Sequence, residues 1–244
     1  MVPIPDVVAT KGLRKTYGKI LAVNDLDLLV HQGEIYGLIG PNGSGKTTTV
    51  KVLCGLLQAD GGSAKVFDKD PGSTAVRPLI GYMPQDLAIY PELKVGQNLD
   101  FFGRLYGLGG KKLGHRKNAL LKMVALDGRE NSLVSTLSGG MKHRLSLACA
   151  MIHSPRLLFL DEPTVGVDPE LRFTFWEYLH TMKAEGVTAL ITTHYMDEAS
   201  RCDRVGLIRE GHLIAEGTPN ELRESAGAES LEDVFLVYSR RASQ

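Results

Sequence analysis

A chain of 244 residues is long enough to bury a sizeable core in one large α/β domain, with no need of disulfides or a structural metal. Lys plus Arg and Asp plus Glu number 28 each, so the overall basic field of a nucleic-acid binder is absent. Hydrophobic residues at 43% and charged residues at 23% exclude bulk disorder. Cys54, Cys149 and Cys202 are far apart and form no C-x-x-C pair, which points to a reducing compartment and away from a disulfide scaffold or zinc site. No apolar run approaches the ~20 residues that span a bilayer. The opening MVPIPDVVATKGL has no basic segment followed by a long apolar one, so no secretory leader is expected.

In chain order, residues 10–40 read as short strands and turns. Strands are expected at 19–23 and 26–30 around an Asn24-Asp25 turn, then at 35–39 after a turn at 31–34. Val50, Val52, Leu53 and Leu56 suit a helix that starts after Lys46 and ends near Gly55. Gly61-Gly62 reads as a break before a strand at 63–67, and Pro84 stops another at 80–83. From 95 to 124 the apolar residues fall at helical spacing, with Gly107, Gly109 and Gly110 splitting two helices. Lys111, Lys112, His115, Arg116 and Lys117 give this stretch a local basic surface. Residues 88–155 are therefore expected to form a helical lobe inserted into a strand-rich core.

Strand 157–160, helix 170–184 and strand 187–193 restore an α/β texture. A hairpin at 205–209 and 212–215 turns at Glu210-Gly211. This alternation implies a mostly parallel sheet covered on both faces. The tail 231–244 reads as a packed terminal helix or an interface helix. The expected organisation is one domain over 1–244, with a core at 8–87 and 156–220, the lobe, and a tail at 221–244.

Gly40-Pro41-Asn42-Gly43-Ser44-Gly45-Lys46-Thr47, followed by Thr48, fits G-x-x-x-x-G-K-[ST] completely. The glycines let backbone N–H groups curl around a phosphate, and the helix that follows presents its positive end to the same anion. Lys46 would reach the β- and γ-phosphates and Thr47 would offer its hydroxyl to Mg2+. The matching acid should end a buried strand. Leu157-Leu158-Phe159-Leu160 supplies that strand, with Asp161 placed to hold Mg2+ and Glu162 placed to polarise a water. These parts make a nucleotide triphosphatase without naming its class.

Leu137-Ser138-Gly139-Gly140-Met141 precedes an apolar helical segment, with Ser138 as the N-cap and two glycines exposing N–H groups. It lies 23 residues before Asp161. With this order of motifs the chain resembles the ATP-binding-cassette (ABC) ATPases over about residues 8–220. The resemblance implies a P-loop nucleotide-binding domain with a mostly parallel core sheet, an antiparallel N-terminal subdomain and an inserted helical subdomain. The family signature is usually LSGGQ, and Met141 departs from it.

The resemblance further implies that Ser138, Gly139 and Gly140 contact the γ-phosphate of ATP held by a second cassette. Tyr17 matches the aromatic residue that stacks on adenine. Gln85 matches the glutamine that contacts Mg2+ and the attacking water. Asp168 matches the aspartate that communicates across the dimer, and His194 the histidine at the γ-phosphate. Two ATP, with Mg2+, would lie between paired cassettes, identical or not, and Glu162 would be the general base.

The run Leu231-Glu232-Asp233-Val234-Phe235 is similar to stand-alone cassettes that serve exporter-type permeases lacking their own ATPase. The expected role is thus a transport ATPase, peripheral to the cytoplasmic side of a membrane through a separate permease and without direct nucleic-acid contact. A soluble ABC-type switch acting on nucleic acid or a protein complex is the alternative.

Overall fold

The computed structural model describes residues 5–242. The first and last residues, 1–4 and 243–244, where the leader expectation starts and the tail expectation ends, lie outside the described residues. Two long strands replace the expected short ones at the start of the chain: β1 (Asp6–Tyr17) and β2 (Ile20–His31), paired antiparallel. Asn24-Asp25 is a bulge inside β2 and not a turn. The register slips between Leu13↔Leu26 and Lys15↔Val23, and Asp25 takes φ 53°, so the one extra residue of β2 is absorbed without ending the strand. Gly61-Gly62 is likewise no break. Strand β4 (Gly61–Val66) begins there, and a Cβ on Gly62 would meet the Gly12 carbonyl at 2.1 Å. β4 joins β1 and β2 in a three-stranded antiparallel sheet of order β2-β1-β4.

The core sheet starts with β3 (Ile35–Ile39), buried along its whole length, which leads through a glycine-rich loop into α1 (Lys46–Leu53). After β5 (Ile80–Met83) come three helices, α2 (Val95–Leu105), α3 (Gly110–Met123) and α4 (Gly139–Met151). The chain then alternates β6 (Leu157–Asp161), α5 (Pro169–Ala184), β7 (Thr188–Thr193), α6 (Met196–Ala199), β8 (Arg204–Arg209) and β9 (His212–Gly217). It ends in α7 (Pro219–Ala226) and α8 (Leu231–Arg241). The sheet order is β5-β6-β7-β3-β8-β9, and only β9 runs antiparallel. This is the mostly parallel core sheet that the sequence implies.

Period-two alternation sorts β6 between two cores. Leu158 and Leu160 face the helices α2 to α5, while Leu157 and Phe159 face α1 and the antiparallel sheet. Each such fully buried side chain contributes about 1.5–3 kcal/mol. In the tail, Ser230 caps α8, whose Leu231 and Val234 are buried in the first core. Among the described residues no helix is long and apolar enough to cross a membrane.

Candidate nucleotide site

Four adjacent parallel strands deliver the candidate residues to one edge. β5 ends at Met83, two residues before Gln85; β6 ends at Asp161, with Glu162 next; β7 ends at Thr193, with His194 next; β3 ends at Ile39, where the phosphate loop begins. Their register brings these ends level, with Met83 beside Leu160, Asp161 beside Thr192 and Ile39 beside Thr193. The carboxyl edge of a parallel sheet is where α/β folds build ligand sites.

The loop of residues 40–45 is held tightly from behind. A Cβ on Gly45, which has φ 105°, would come within 2.3 Å of the Ala22 carbonyl. Gly211, in the β8–β9 turn, donates its N–H to the Ser44 carbonyl at 3.0 Å. Pro41, Asn42 and Gly43 are exposed at the loop's crest, and Thr48 is half-buried on α1. Lys46 is 4% exposed, and its Nζ donates to the Gly40 carbonyl at 2.7 Å and the Pro41 carbonyl at 3.0 Å.

Glu162 is the hub. It is 5% exposed, with Gln85 Nε2 donating to Oε2 at 3.2 Å, Lys46 Nζ 3.7 Å from Oε1 and His194 Nδ1 3.4 Å from Oε1. Three residues named from three distant parts of the sequence thus converge on the proposed base. Its backbone takes φ 51°, a conformation that is costly for a residue with a Cβ. The Glu162 N–H donates to both the backbone and side-chain oxygens of Thr192, each at 3.1 Å.

Asp161 is 1% exposed. Its Oδ1 accepts from Thr47 Oγ1 at 3.0 Å and from Thr192 Oγ1 at 2.5 Å, while its Oδ2 is buried with no hydrogen-bond partner. Burial pushes the Asp161 carboxyl above its ordinary range, against the lowering hydrogen bonds of Thr192 and Thr47. Burial also holds the Lys46 ammonium below its ordinary range, against the pull of Glu162 and Asp161. Two buried carboxylates face one buried lysine, and Asp161 keeps one oxygen bare beside a hydroxyl. That donor set fits a hard divalent cation such as Mg2+, bound through oxygen.

Thr192 was hidden from sequence reasoning. It lies inside the apolar run of β7, where a threonine reads as a β-branched filler. Its one signal is its place two residues before His194.

The signature segment is built as a helix start. Ser138 caps α4 by accepting the Met141 N–H at 3.3 Å, and the half-buried Met141 packs against the core. Leu137 is buried. A Cβ on Gly139 would meet nothing within 4 Å, and one on Gly140 only the tip of Leu171 at 3.9 Å. No hydrogen bond or ion pair links 137–141 to the phosphate loop among the described residues. Asp168 caps α5 through the Leu171 N–H at 3.0 Å. Tyr17 ends β1 and is 46% exposed, with Lys15 Nζ 5.8 Å from its ring centre.

A family model described as "ABC transporter" matches residues 23–165. Over 241 residues the chain is 42% identical to the "Probable multidrug ABC transporter ATP-binding protein YbhF" of Escherichia coli, covering 96% of this chain and 42% of that protein. It is 44% identical over 230 residues to the "Nod factor export ATP-binding protein I" of Cupriavidus pinatubonensis, covering 92% of this chain and 71% of that one. Among solved structures, an ATP-binding subunit of an ABC transporter superposes with a TM-score of 0.88 at 29% identity, over 96% of this chain and 99% of that one. A dimeric cassette in a post-hydrolysis state, bound to ADP and Pi, gives 0.81 at 25% identity over 86% of this chain and 98% of that one.

Proposed function

Because the chain belongs to the ABC transporter family, we propose that it hydrolyses ATP as one of two paired cassettes that drive a separate membrane permease in the export direction. One observation carries the chemistry: Glu162 is gripped by Lys46, Gln85 and His194 at the joint edge of four strands. Glu162 takes the proton of the attacking water, and Gln85 and His194 fix its carboxylate and the water in line. Lys46 and the loop N–H groups neutralise the β- and γ-phosphates. Thr47 and Asp161 would hold Mg2+, with Gln85 near; when bound, the ion offsets charge on the phosphate oxygens. Most of the acceleration is positioning and electrostatic stabilisation supplied before the reaction begins.

The second cassette is supported by Gly139 and Gly140. Among the described residues a Cβ would meet nothing within 4 Å at Gly139 and only the tip of Leu171, at ordinary contact distance, at Gly140, so their own packing does not require glycine. A nucleotide on an opposing cassette, approached by Ser138 and the two bare N–H groups, would. In that reading Asp168 lies at the contact between cassettes, and Tyr17 stacks on adenine while reading few of its hydrogen bonds.

Residues 88–155 act as a lobe against the core at 8–87 and 156–220. Between the two lies a cleft of about 830 Å³ lined by Leu56, Tyr82, Phe102, Leu105 and Tyr106, with Leu56 and Leu105 mostly exposed. Pro84, next to Gln85, is among its lining residues, so a permease segment seated there would feel the nucleotide site. The chain would be held at the cytoplasmic face of a membrane by that contact. Export follows the name of the Cupriavidus pinatubonensis relative, a Nod factor export protein; that role belongs to that protein and extends here by similarity. Phosphate release by the purified chain tests the chemistry: Lys46→Ala should nearly abolish turnover and weaken ATP binding, and unchanged activity in a folded K46A protein would overturn it. A gentle detergent pull-down from native membranes tests the partner, with a multi-spanning protein as the expected catch.

A further inference from the structure

A buried carboxyl group outside the Glu162 hub joins the two segments that flank it. Glu198 lies on the one-turn helix α6, four residues after His194, and is 1% exposed. Its Oε1 accepts a short hydrogen bond from the hydroxyl of Thr164, itself buried in the loop between Glu162 and Asp168. Its Oε2 is buried with no hydrogen-bond partner. Arg172, on the first turns of α5, faces it loosely, with Nε 3.9 Å from Oε1. The same guanidinium sits 5.0 Å over the Tyr195 ring, which lies 4.2 Å from the ring of His194.

Stability alone does not select this arrangement. A buried carboxyl with one bare oxygen and a distant cation is worse than a well-packed apolar group of the same size. Nor can a single helical turn hold itself in place, because nucleation is unfavourable at that length. The placement of α6, and of His194 before it, is set by what its side chains grip. Glu198 grips the 163–168 loop, and Tyr195 is clamped by Arg172 from α5.

We infer that the Thr164–Glu198 contact is a latch through which the 163–168 loop sets the position of His194 against Glu162. Thr164 and Glu198 touch no reacting atom, so both are positioning residues. The latch gives the loop that ends at Asp168 a mechanical route to the γ-phosphate end of the site, through α6 and the Arg172–Tyr195–His194 stack. The inference rests on the reading of Glu162 and His194 as catalytic.

The test compares Thr164→Val, which keeps the shape and deletes the donor, with Thr164→Ser, which keeps the donor. Steady-state hydrolysis of ATP by the full chain is measured together with the thermal midpoint. The latch predicts that T164V lowers kcat by about tenfold, the kinetic equivalent of one lost charge-assisted hydrogen bond, while KM for ATP stays within about twofold. T164S should recover kcat to within about twofold of wild type. In single-turnover assays, T164V added to H194A should deepen the H194A loss by less than about twofold, because both act on one group. If T164V does not fold, Thr164→Ala carries the same prediction. Glu162→Gln in the same assay separates the two levels. Intact hydrolysis in E162Q defeats the catalytic reading itself. Abolished hydrolysis in E162Q with unchanged kcat in T164V, or with T164V and H194A losses that multiply, defeats the latch alone.

Discussion

Replacing Thr192 by valine removes one hydroxyl from a buried position and leaves the shape of the side chain. That hydroxyl donates to Asp161 Oδ1 at 2.5 Å and accepts the Glu162 N–H at 3.1 Å. The Glu162 N–H keeps the Thr192 carbonyl as a second acceptor at 3.1 Å, so the loss falls mainly on Asp161. A hydrogen bond to a charged group contributes about 1.5–3 kcal/mol, and Thr47 at 3.0 Å stays behind to offset part of it. For a domain of this size 1 kcal/mol moves the thermal midpoint by roughly 2–4 °C, so T192V should melt several degrees lower at neutral pH. The sign of the pH dependence follows from the charge. Burial already holds the Asp161 carboxyl above its ordinary value, and Thr192 is the strongest influence lowering it. Without Thr192 the ionised form is still less favoured, and the protonated form, which can donate a hydrogen bond of its own, loses less. The gap between T192V and wild type should therefore narrow as the pH falls. Thermal unfolding by calorimetry from acid to neutral pH measures it. A gap that stays constant across that range would show that valine disturbs packing, and would refute the view that Thr192 stabilises the Asp161 carboxylate.

Asp161→Asn should abolish hydrolysis and yet raise the thermal midpoint measured without Mg2+. The folded-state pKa of Asp161 is raised, so wild-type stability declines as pH climbs from the ordinary aspartate value through the raised one, and the asparagine escapes that decline. Calorimetry at two pH values on either side of the window checks it. Met141→Gln should leave hydrolysis within about tenfold of wild type, whereas Ser138→Arg, which places a bulky cation where the opposing nucleotide would sit, should lose far more; both are read by phosphate release. A cysteine at Leu105, at the rim of the 830 Å³ cleft, should crosslink to a co-expressed permease in an ATP-dependent pattern, read by gel shift, while one at exposed Leu236 on α8 should not.

The parts of the site that were legible in the sequence are those in which the backbone itself dictates the residue. The phosphate loop needs glycine where a Cβ would collide, as at Gly45, and such demands leave a fixed spacing in the sequence. Asp161 and Glu162 stood out because four apolar residues bury the strand before them. Ser138 announced a helix start and caps one. The parallel core sheet followed from strands alternating with helices. What was not legible depends on contacts between distant segments. The β2 bulge looked like a turn because Asn24-Asp25 has turn chemistry, and only pairing with β1 carries the strand through it. Helix α6 is too short to show a period, and α7 buries only Leu222. Thr192 and Glu198 are ordinary residue types in their own segments; Asp161 and Thr164, about 30 residues away in each case, give them their meaning.

Single-turnover hydrolysis of bound ATP by Glu162→Gln tests the central claim most directly. The amide keeps the shape of the glutamate and its place beside Gln85, but it cannot accept a proton from water. ATP should bind as in wild type, with hydrolysis slower by roughly 10²–10⁴-fold, the contribution of a positioned general base. Hydrolysis at close to the wild-type rate in a folded E162Q protein would contradict the account, because the convergence of Lys46, Gln85 and His194 on Glu162 would then serve no catalytic purpose.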